Sequence, residues 1–186
     1  GGSSSDQCRS FQETDDGGFI LAGVTYSFGN GDADAWLIKT DSLGVEEWNQ
    51  TYGGIERDES RSIQKTSDGG FIMTGSTWSY GNGDGQSDVW LIKTDENGNE
   101  EWNQTFVGGG YEQGYSVQQT YDDGYIFTGI THSFGNGSED VWLIKADENG
   151  IEEWNQTYGG PWADNSFSIS ITSDMGYIIA GKTDPG

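Results

Sequence analysis

Four Asn-x-Ser/Thr sequons carry the most specific chemical signal in this sequence. They begin at Asn49, Asn103, Asn155 and Asn136. In an exported protein such an asparagine can receive an N-linked glycan. The first three share the tripeptide Asn-Gln-Thr, so a polar segment that was copied three times would give the same pattern. The sequence therefore predicts glycosylation at these four asparagines, with repetition of one polar segment as the alternative.

Aromatic residues in glycine-rich segments indicate a second kind of candidate site, one for binding. One position between a repeated threonine and a repeated serine varies as Tyr26, Trp78 and His132. Other predicted loops contain Tyr111, Tyr115, Trp162 and Phe167. Aromatic faces supply a large contact area and often a polar handle. The candidate ligand-binding residues are Tyr26, Trp78, His132, Tyr111 and Trp162, whereas Phe28, Tyr80 and Phe134 are favoured as plugs between packed repeats.

Catalytic and cofactor chemistry is not expected. Cys8 is the sole cysteine and His132 the sole histidine, so a multi-cysteine or paired-histidine metal site cannot be assembled, and no Ser–His–acid motif appears in the sequence. Most recurring aspartates stand in turns, where the side chain can accept backbone N–H groups. Asp32 with Asp34, or Asp84 with Asp88, offers a weak possibility of calcium, but no segment matches a calcium loop. We therefore predict no enzyme, no cofactor and no metal.

The charge of the chain restricts its partners. It has 31 acidic and 8 basic residues, for a net charge of −23. Such a charge repels phosphate backbones and anionic lipid surfaces, which excludes nucleic acid. No apolar run reaches the ~18 residues of a membrane helix, so no membrane insertion is expected.

The candidate residues belong to an internal repeat. The segment Ala35–Asp41 returns as Val89–Asp95 and Val141–Asp147, and each copy is followed by Glu-Glu-Trp-Asn-Gln-Thr. A glycine recurs at Gly23, Gly75, Gly129 and Gly181. This periodicity predicts repeats at 1–54, 55–108 and 109–160 and a half repeat at 161–186. Because the chain starts after one motif and stops inside another, we expect it to be a piece of a longer protein.

The sequence of each repeat predicts four short strands. In the second repeat they are Ser62–Thr66, Gly70–Gly75, Asp88–Thr94 and Glu100–Phe106. A unit of this size without helices is typical of a β-propeller blade; a β-solenoid is the alternative. The prediction is an all-β propeller of four-stranded antiparallel blades, about three and a half of them, forming part of a larger ring. The loops with the aromatic residues would share one rim.

The motifs Asp95–Trp102 and Asp68–Ser76 resemble the delta-60 and related seven-bladed (SBBP-type) propeller repeats of exported bacterial and archaeal proteins, and are more distantly similar to kelch and quinoprotein propeller repeats. The resemblance covers nearly the whole chain and implies an extracellular or cell-surface protein. The second turn also distantly resembles the sialidase Asp-box, but its spacing differs. The chain has only three arginines, Arg9, Arg57 and Arg61, and the sequence predicts no arginine cluster that could hold a carboxylate.

These observations favour a non-catalytic scaffold or a binding and adhesion module that contacts protein or carbohydrate at the cell surface through its aromatic rim. One alternative is a self-assembling surface protein or filament component whose open blade edges pair with neighbouring chains. The other is a fragment of a propeller enzyme whose active site lies in further blades.

Overall fold

A computed structural model describes residues 1–83 and 85–184. Fourteen antiparallel strands form three four-stranded sheets and one two-stranded sheet, and no helix occurs in these ranges. No helix there is long and apolar enough to cross a membrane. The strands are β1 (Asp6–Glu13), β2 (Phe19–Thr25), β3 (Asp34–Thr40), β4 (Glu46–Tyr52), β5 (Asp58–Lys65), β6 (Phe71–Thr77), β7 (Asp88–Thr94), β8 (Glu100–Phe106), β9 (Glu112–Gln119), β10 (Tyr125–Thr131), β11 (Asp140–Ala146), β12 (Glu152–Tyr158), β13 (Asp164–Ile171) and β14 (Tyr177–Thr183).

Each sheet is a meander in which consecutive strands pair. The turns between first and second strands, and between third and fourth, each contain an aspartate that accepts backbone N–H groups from its own turn. Asp41 Oδ1, for example, accepts the N–H groups of Leu43 and Val45 at 2.8 and 2.9 Å. These bonds confirm the turn role that the sequence predicts for the recurring aspartates. The sheets lie within residues 6–52, 58–106, 112–158 and 164–183.

The first strand of the second sheet is longer than the sequence predicts. It begins at Asp58, four residues before the predicted Ser62, because Asp58, Glu59 and Ser60 pair with β6. All three polar residues are buried. Sequence patterning assigns such a polar run to a loop, whereas here hydrogen bonds and ion pairs satisfy most of its polar groups. This extension places charged side chains at the inner edge of the sheet.

The sheets stack face to face as an open, unclosed array. One core cluster joins Leu37 of the first sheet to Met73 and Trp90 of the second, and another joins Leu91 to Phe127 of the third. Middle strands β6 and β7 are buried along their whole length, as expected for strands that are covered on both faces. The hydrophobic core therefore lies between the sheets.

The innermost strands β1, β5, β9 and β13 are also joined by polar side chains. The Lys65 N–H donates to Gln12 Oε1 at 2.7 Å, and the Ile171 N–H donates to Gln118 Oε1 at 2.9 Å. The Gln119 N–H makes the equivalent bond to Gln64 Oε1. Each glutamine thus accepts from the backbone of the next innermost strand, which fixes the register between neighbouring sheets. These four strands line the inner edge of the array.

Candidate functional site

A β-bulge interrupts each innermost strand near its start. The paired registers skip one residue in each case: Arg9, Arg61, Tyr115 and Phe167. A bulge inserts an unpaired residue and redirects its side chain. The recurring glycines explain how the bulge is accommodated, since a Cβ on Gly75 would lie 1.8 Å from the Glu59 carbonyl oxygen. The bulges present these four side chains near the rim where the Tyr26 and Trp78 loops begin.

The three arginines of the chain converge on one buried carboxylate, that of Glu59. Arg57 Nη2 and Arg9 Nη2 lie 2.7 and 3.3 Å from Glu59 Oε2, and Arg61 Nη2 lies 2.5 Å from Oε1. The Glu59 side chain is 0% exposed, whereas those of Arg9, Arg57 and Arg61 are 26%, 41% and 19% exposed. The prediction that the chain forms no arginine cluster is therefore wrong. Arginines that are 48 and 4 residues apart along the chain meet because β1 and β5 are adjacent in space.

Aromatic rings surround this cluster. The Arg57 guanidinium carbon lies 5.9 Å from the ring centroid of Tyr26 and 5.5 Å from that of Trp78. On the other side, the Arg61 guanidinium carbon lies 4.8 Å from the Tyr115 ring. The Tyr115 and Phe167 rings meet edge to face with centroids 6.1 Å apart. We call Arg9, Arg57, Glu59 and Arg61, together with Tyr26, Trp78 and Tyr115, the arginine–aromatic site.

The electrostatics of the site favour a charged Glu59. Burial opposes its ionisation, but the three guanidinium groups outweigh burial and lower the pKa of Glu59. Burial tends to lower the pKa of Arg57, and its bond to Glu59 outweighs that effect and raises the pKa. One carboxylate faces three cations, so the cluster carries an excess of positive charge. The buried Nε atoms of Arg57 and Arg61 have no hydrogen-bond partner among the residues that the structure describes.

The structure separates the other aromatic candidates from this site. His132 contacts Tyr111, with ring centroids 6.1 Å apart, and its Nε2 lies 3.3 Å from Glu139 Oε1. Trp162 is exposed and makes no ring contact with the arginine–aromatic site. Of the five predicted ligand-binding residues, only Tyr26 and Trp78 adjoin the arginines.

Two further aromatic predictions are corrected or refined by the structure. Tyr115 and Phe167 were predicted in loops, but they are the bulge residues of strands β9 and β13. The predicted plugs Phe28, Tyr80 and Phe134 pack against the tryptophan of the third strand in their own sheet, with centroid distances of 5.7, 5.4 and 5.2 Å. They remain partly exposed and shield that tryptophan, and the Tyr80 hydroxyl also donates to the carbonyl oxygen of Gly53, between the first and second sheets, at 2.8 Å.

The repeated sequon asparagines have a packing role. Asn49, Asn103 and Asn155 each accept a hydrogen bond from the indole N–H of a third-strand tryptophan at 3.1 to 3.2 Å. The amide nitrogen of each also donates to a glutamate three residues earlier. These bonds give a structural reason for the recurrence of the asparagine. Asn136 lies in an exposed loop, and glycosylation at all four positions stays a prediction.

Carboxylate pairs lie at the junctions between successive sheets. A Cβ on Gly53 would lie 2.2 Å from Asp34 Oδ1 and 2.8 Å from Asp58 Oδ2, and a Cβ on Gly159 would lie 1.9 Å from Asp140 Oδ1 and 2.9 Å from Asp164 Oδ2. Asp34 therefore lies close to Asp58. Asp84, one of the suggested calcium ligands, lies outside the described residues. Among residues 1–83 and 85–184, no three His, Cys, Asp or Glu side chains are arranged to hold a metal ion.

Asp34→Asn is expected to stabilise the protein at pH 7 by about 1 to 2 kcal/mol. Burial, reinforced by the Asp58 charge, raises the pKa of Asp34 to about 6. The folded state thus binds more protons than the unfolded state between about pH 4 and 6, so this group makes stability fall as pH rises through that interval. Urea unfolding across this range should show a flatter profile for the variant. Asp32→Asn, at an exposed position, is the control; destabilisation by Asp34→Asn at pH 7 would refute the assignment.

The comparisons with known proteins support the fold and do not extend to function. No family model matches the sequence, and no curated protein matches it. A solved structure of a protein of unknown function from Bacteroides caccae is similar to this chain, with a TM-score of 0.58 and 12% sequence identity. The alignment covers 96% of this chain and 54% of that protein, so this chain spans about half the length of the neighbour. At this identity the likeness shows a shared all-β architecture alone.

Proposed function

We propose that this chain is a segment of a β-propeller and acts as a non-catalytic binding module on an extracellular or cell-surface protein. The four-stranded sheets that stack face to face, with their first strands innermost, support the propeller assignment. The motif resemblance to exported propeller repeats supports the location. In this proposal the sheets are a rigid scaffold, and the inner edge near one rim is the binding surface.

The placement of Arg57 between two aromatic rings is the observation that carries the proposal. Its guanidinium group lies within 6 Å of both Tyr26 and Trp78, while its side chain stays 41% exposed. Aromatic rings and arginine are the side chains that dominate binding energy in protein interfaces. A surface that offers flat apolar faces beside oriented N–H donors suits a carbohydrate, whose ring has C–H faces and hydroxyl edges.

Trp78→Ala is expected to weaken glycan binding at least 10-fold, because it removes the larger aromatic face of the site. The wild-type protein is screened on an array of neutral and acidic glycans, and the affinities of the binders are then measured for the variant. Tyr121→Ala is the matched control, since Tyr121 is an exposed aromatic residue in the turn after β9, away from the arginines. Equal weakening by both variants, or no binder on the array, would contradict the proposal.

Self-assembly is the second proposal, and it uses a different surface. A groove of about 870 Å³ runs beside β14 and is lined by apolar side chains that include Leu143, Trp154, Tyr177 and Ile179. Among the described strands, β14 pairs only with β13. Trp78 does not line this groove, so a Trp78→Ala variant that still associates with itself but no longer binds glycans would separate the two functions.

A further inference from the structure

We propose that the ligand of the arginine–aromatic site is a carboxylate-bearing glycan, and that Arg57 and Arg61 bind its carboxylate while the aromatic rings hold its sugar ring. This inference rests on the proposed binding function and adds the chemical class of the ligand. It is carried by the charge balance, the free donors and the arrangement of the rings.

The charge balance of the cluster is incomplete without an anion. Three guanidinium groups share the single carboxylate of Glu59, so the cluster holds two more positive charges than negative ones. The buried lysines of the structure are balanced differently, since Lys39, Lys93 and Lys145 each lie within 4 Å of two carboxylates. In a chain with a net charge of −23, this cluster is a local concentration of positive charge.

The cluster also has hydrogen-bond donors to spare. Each guanidinium group carries five N–H donors, and Glu59 is bound through Nη2 of each arginine, so Glu59 uses only part of the donors of Arg57 and Arg61. A guanidinium group can bind a carboxylate through two parallel N–H groups. A carboxylate placed between the two arginines would use donors that Glu59 leaves free.

The rings favour a sugar acid over an acidic peptide. Tyr26 and Trp78 flank Arg57, and Tyr115 lies under Arg61, so aromatic surface adjoins the donors on both sides. A uronic or sialic acid carries its carboxylate directly on a rigid pyranose ring, which could bind the arginines while the ring packs on an aromatic face. An aspartate or glutamate side chain has no such ring.

The net charge of the chain does not prevent this interaction. At about 0.15 M salt the Debye length is about 8 Å, so distant carboxylates are largely screened. Because the guanidinium groups are partly buried, their interaction with a bound carboxylate is screened less than one in open water.

The test compares each acidic glycan with its own methyl ester. An array of glycans with terminal uronic or sialic acids carries every compound in both forms, which share the sugar and differ in the charge. We expect esterification to weaken binding to the wild-type protein by about 10-fold or more, as expected for loss of charged hydrogen bonds. Arg57→Gln should weaken binding of the acid by a clearly larger factor than binding of the ester, because only the acid loses a charged partner.

Two further variants keep the result interpretable. Glu59→Gln removes the internal competitor for the arginines and should strengthen binding of the acid several-fold, whereas Arg57→Lys should retain part of it because the charge remains without the planar fork. Lys65→Gln is the charge-matched control, since Lys65 pairs with Asp15 at the opposite rim.

Equal binding of acid and ester, with both weakened by Trp78→Ala, would overturn this inference and leave the binding function standing. Absence of binding to either form would overturn both.

Discussion

Gly75→Ala is expected to lower the free energy of unfolding by about 3 kcal/mol, near the upper end for overpacking in a protein core. The new Cβ would lie 1.8 Å from the Glu59 carbonyl oxygen and 2.9 Å from the Ser60 Cα. Both are backbone atoms of the bulged strand β5, so no rotation of a side chain can relieve the contact. The variant has to separate β5 from β6 or flatten the bulge.

Urea unfolding of Gly75→Ala beside Gly109→Ala measures this effect. Gly109 lies in the loop before β9, and a Cβ there would have no atom within 4 Å, so its variant should stay within about 0.5 kcal/mol of the wild type. Because the bulge orients Arg61, Gly75→Ala should also weaken the arginine–aromatic site in whatever fraction remains folded. Equal stabilities of the two variants would show that the bulge does not need its glycine.

The repeating architecture could be predicted because each of its determinants is local. The continuous apolar run of Asp88–Thr94 predicts a strand that is covered on both faces, and β7 has those bounds and that burial. The turns that contain the recurring aspartates follow from the ability of a short carboxylate to accept nearby N–H groups, as the Asp41 bonds confirm. Apolar periodicity and turn chemistry together specify the meander.

The arginine–aromatic site could not be predicted by the same means, because a bulge depends on pairing between strands. The sequence scatters Arg9, Arg57 and Arg61 along the chain. The segment that contains Glu59 is polar, so sequence patterning predicts a loop there. One signal was nevertheless present: Arg9 and Arg61 occupy the same position of successive repeats. In each repeat a small residue on the first strand pairs with the recurring glycine on the second strand. The arginine position directly follows that small residue. A repeat alignment that asks which position opposes Gly23 and Gly75 would have identified the bulge.

Arg61→Met is expected to lower the free energy of unfolding at pH 7 by about 2 to 4 kcal/mol, because it leaves Glu59 buried with one oxygen unpaired. Arg61 is the partner of Glu59 Oε1, whereas Arg9 and Arg57 bind Oε2. In the wild type the lowered pKa of Glu59 stabilises the fold at pH values above its unfolded pKa, and this contribution is lost as pH falls through the folded pKa. The substitution removes the cation nearest to Oε1, so the folded pKa of Glu59 should rise.

The loss of unfolding free energy caused by Arg61→Met should therefore depend on pH. Once the pH falls below the lowered folded pKa of Glu59 in the wild type, Glu59 is protonated in both proteins, and the difference in stability should shrink to the packing that Arg61 provides over Tyr115. As the pH rises from there to 7 the difference should grow, since ionising Glu59 then costs more in the variant. Urea unfolding at several pH values measures both limits, and Lys65→Met, which removes a partly exposed charge paired with Asp15, should cost less than about 0.5 kcal/mol throughout.

The double variant Arg61→Met/Glu59→Gln tests whether the stability lost in Arg61→Met is lost because the Glu59 carboxylate is left unpaired. A neutral amide at position 59 needs no cation, so the double variant should recover more than half of the stability that Arg61→Met loses at pH 7. Its stability relative to the wild type should also vary less with pH. If the two substitutions were instead additive, Arg61 would contribute through its contact with Tyr115 alone. The arginines would then not act as one cluster around Glu59, and a carboxylate ligand would have no shared charge to bind.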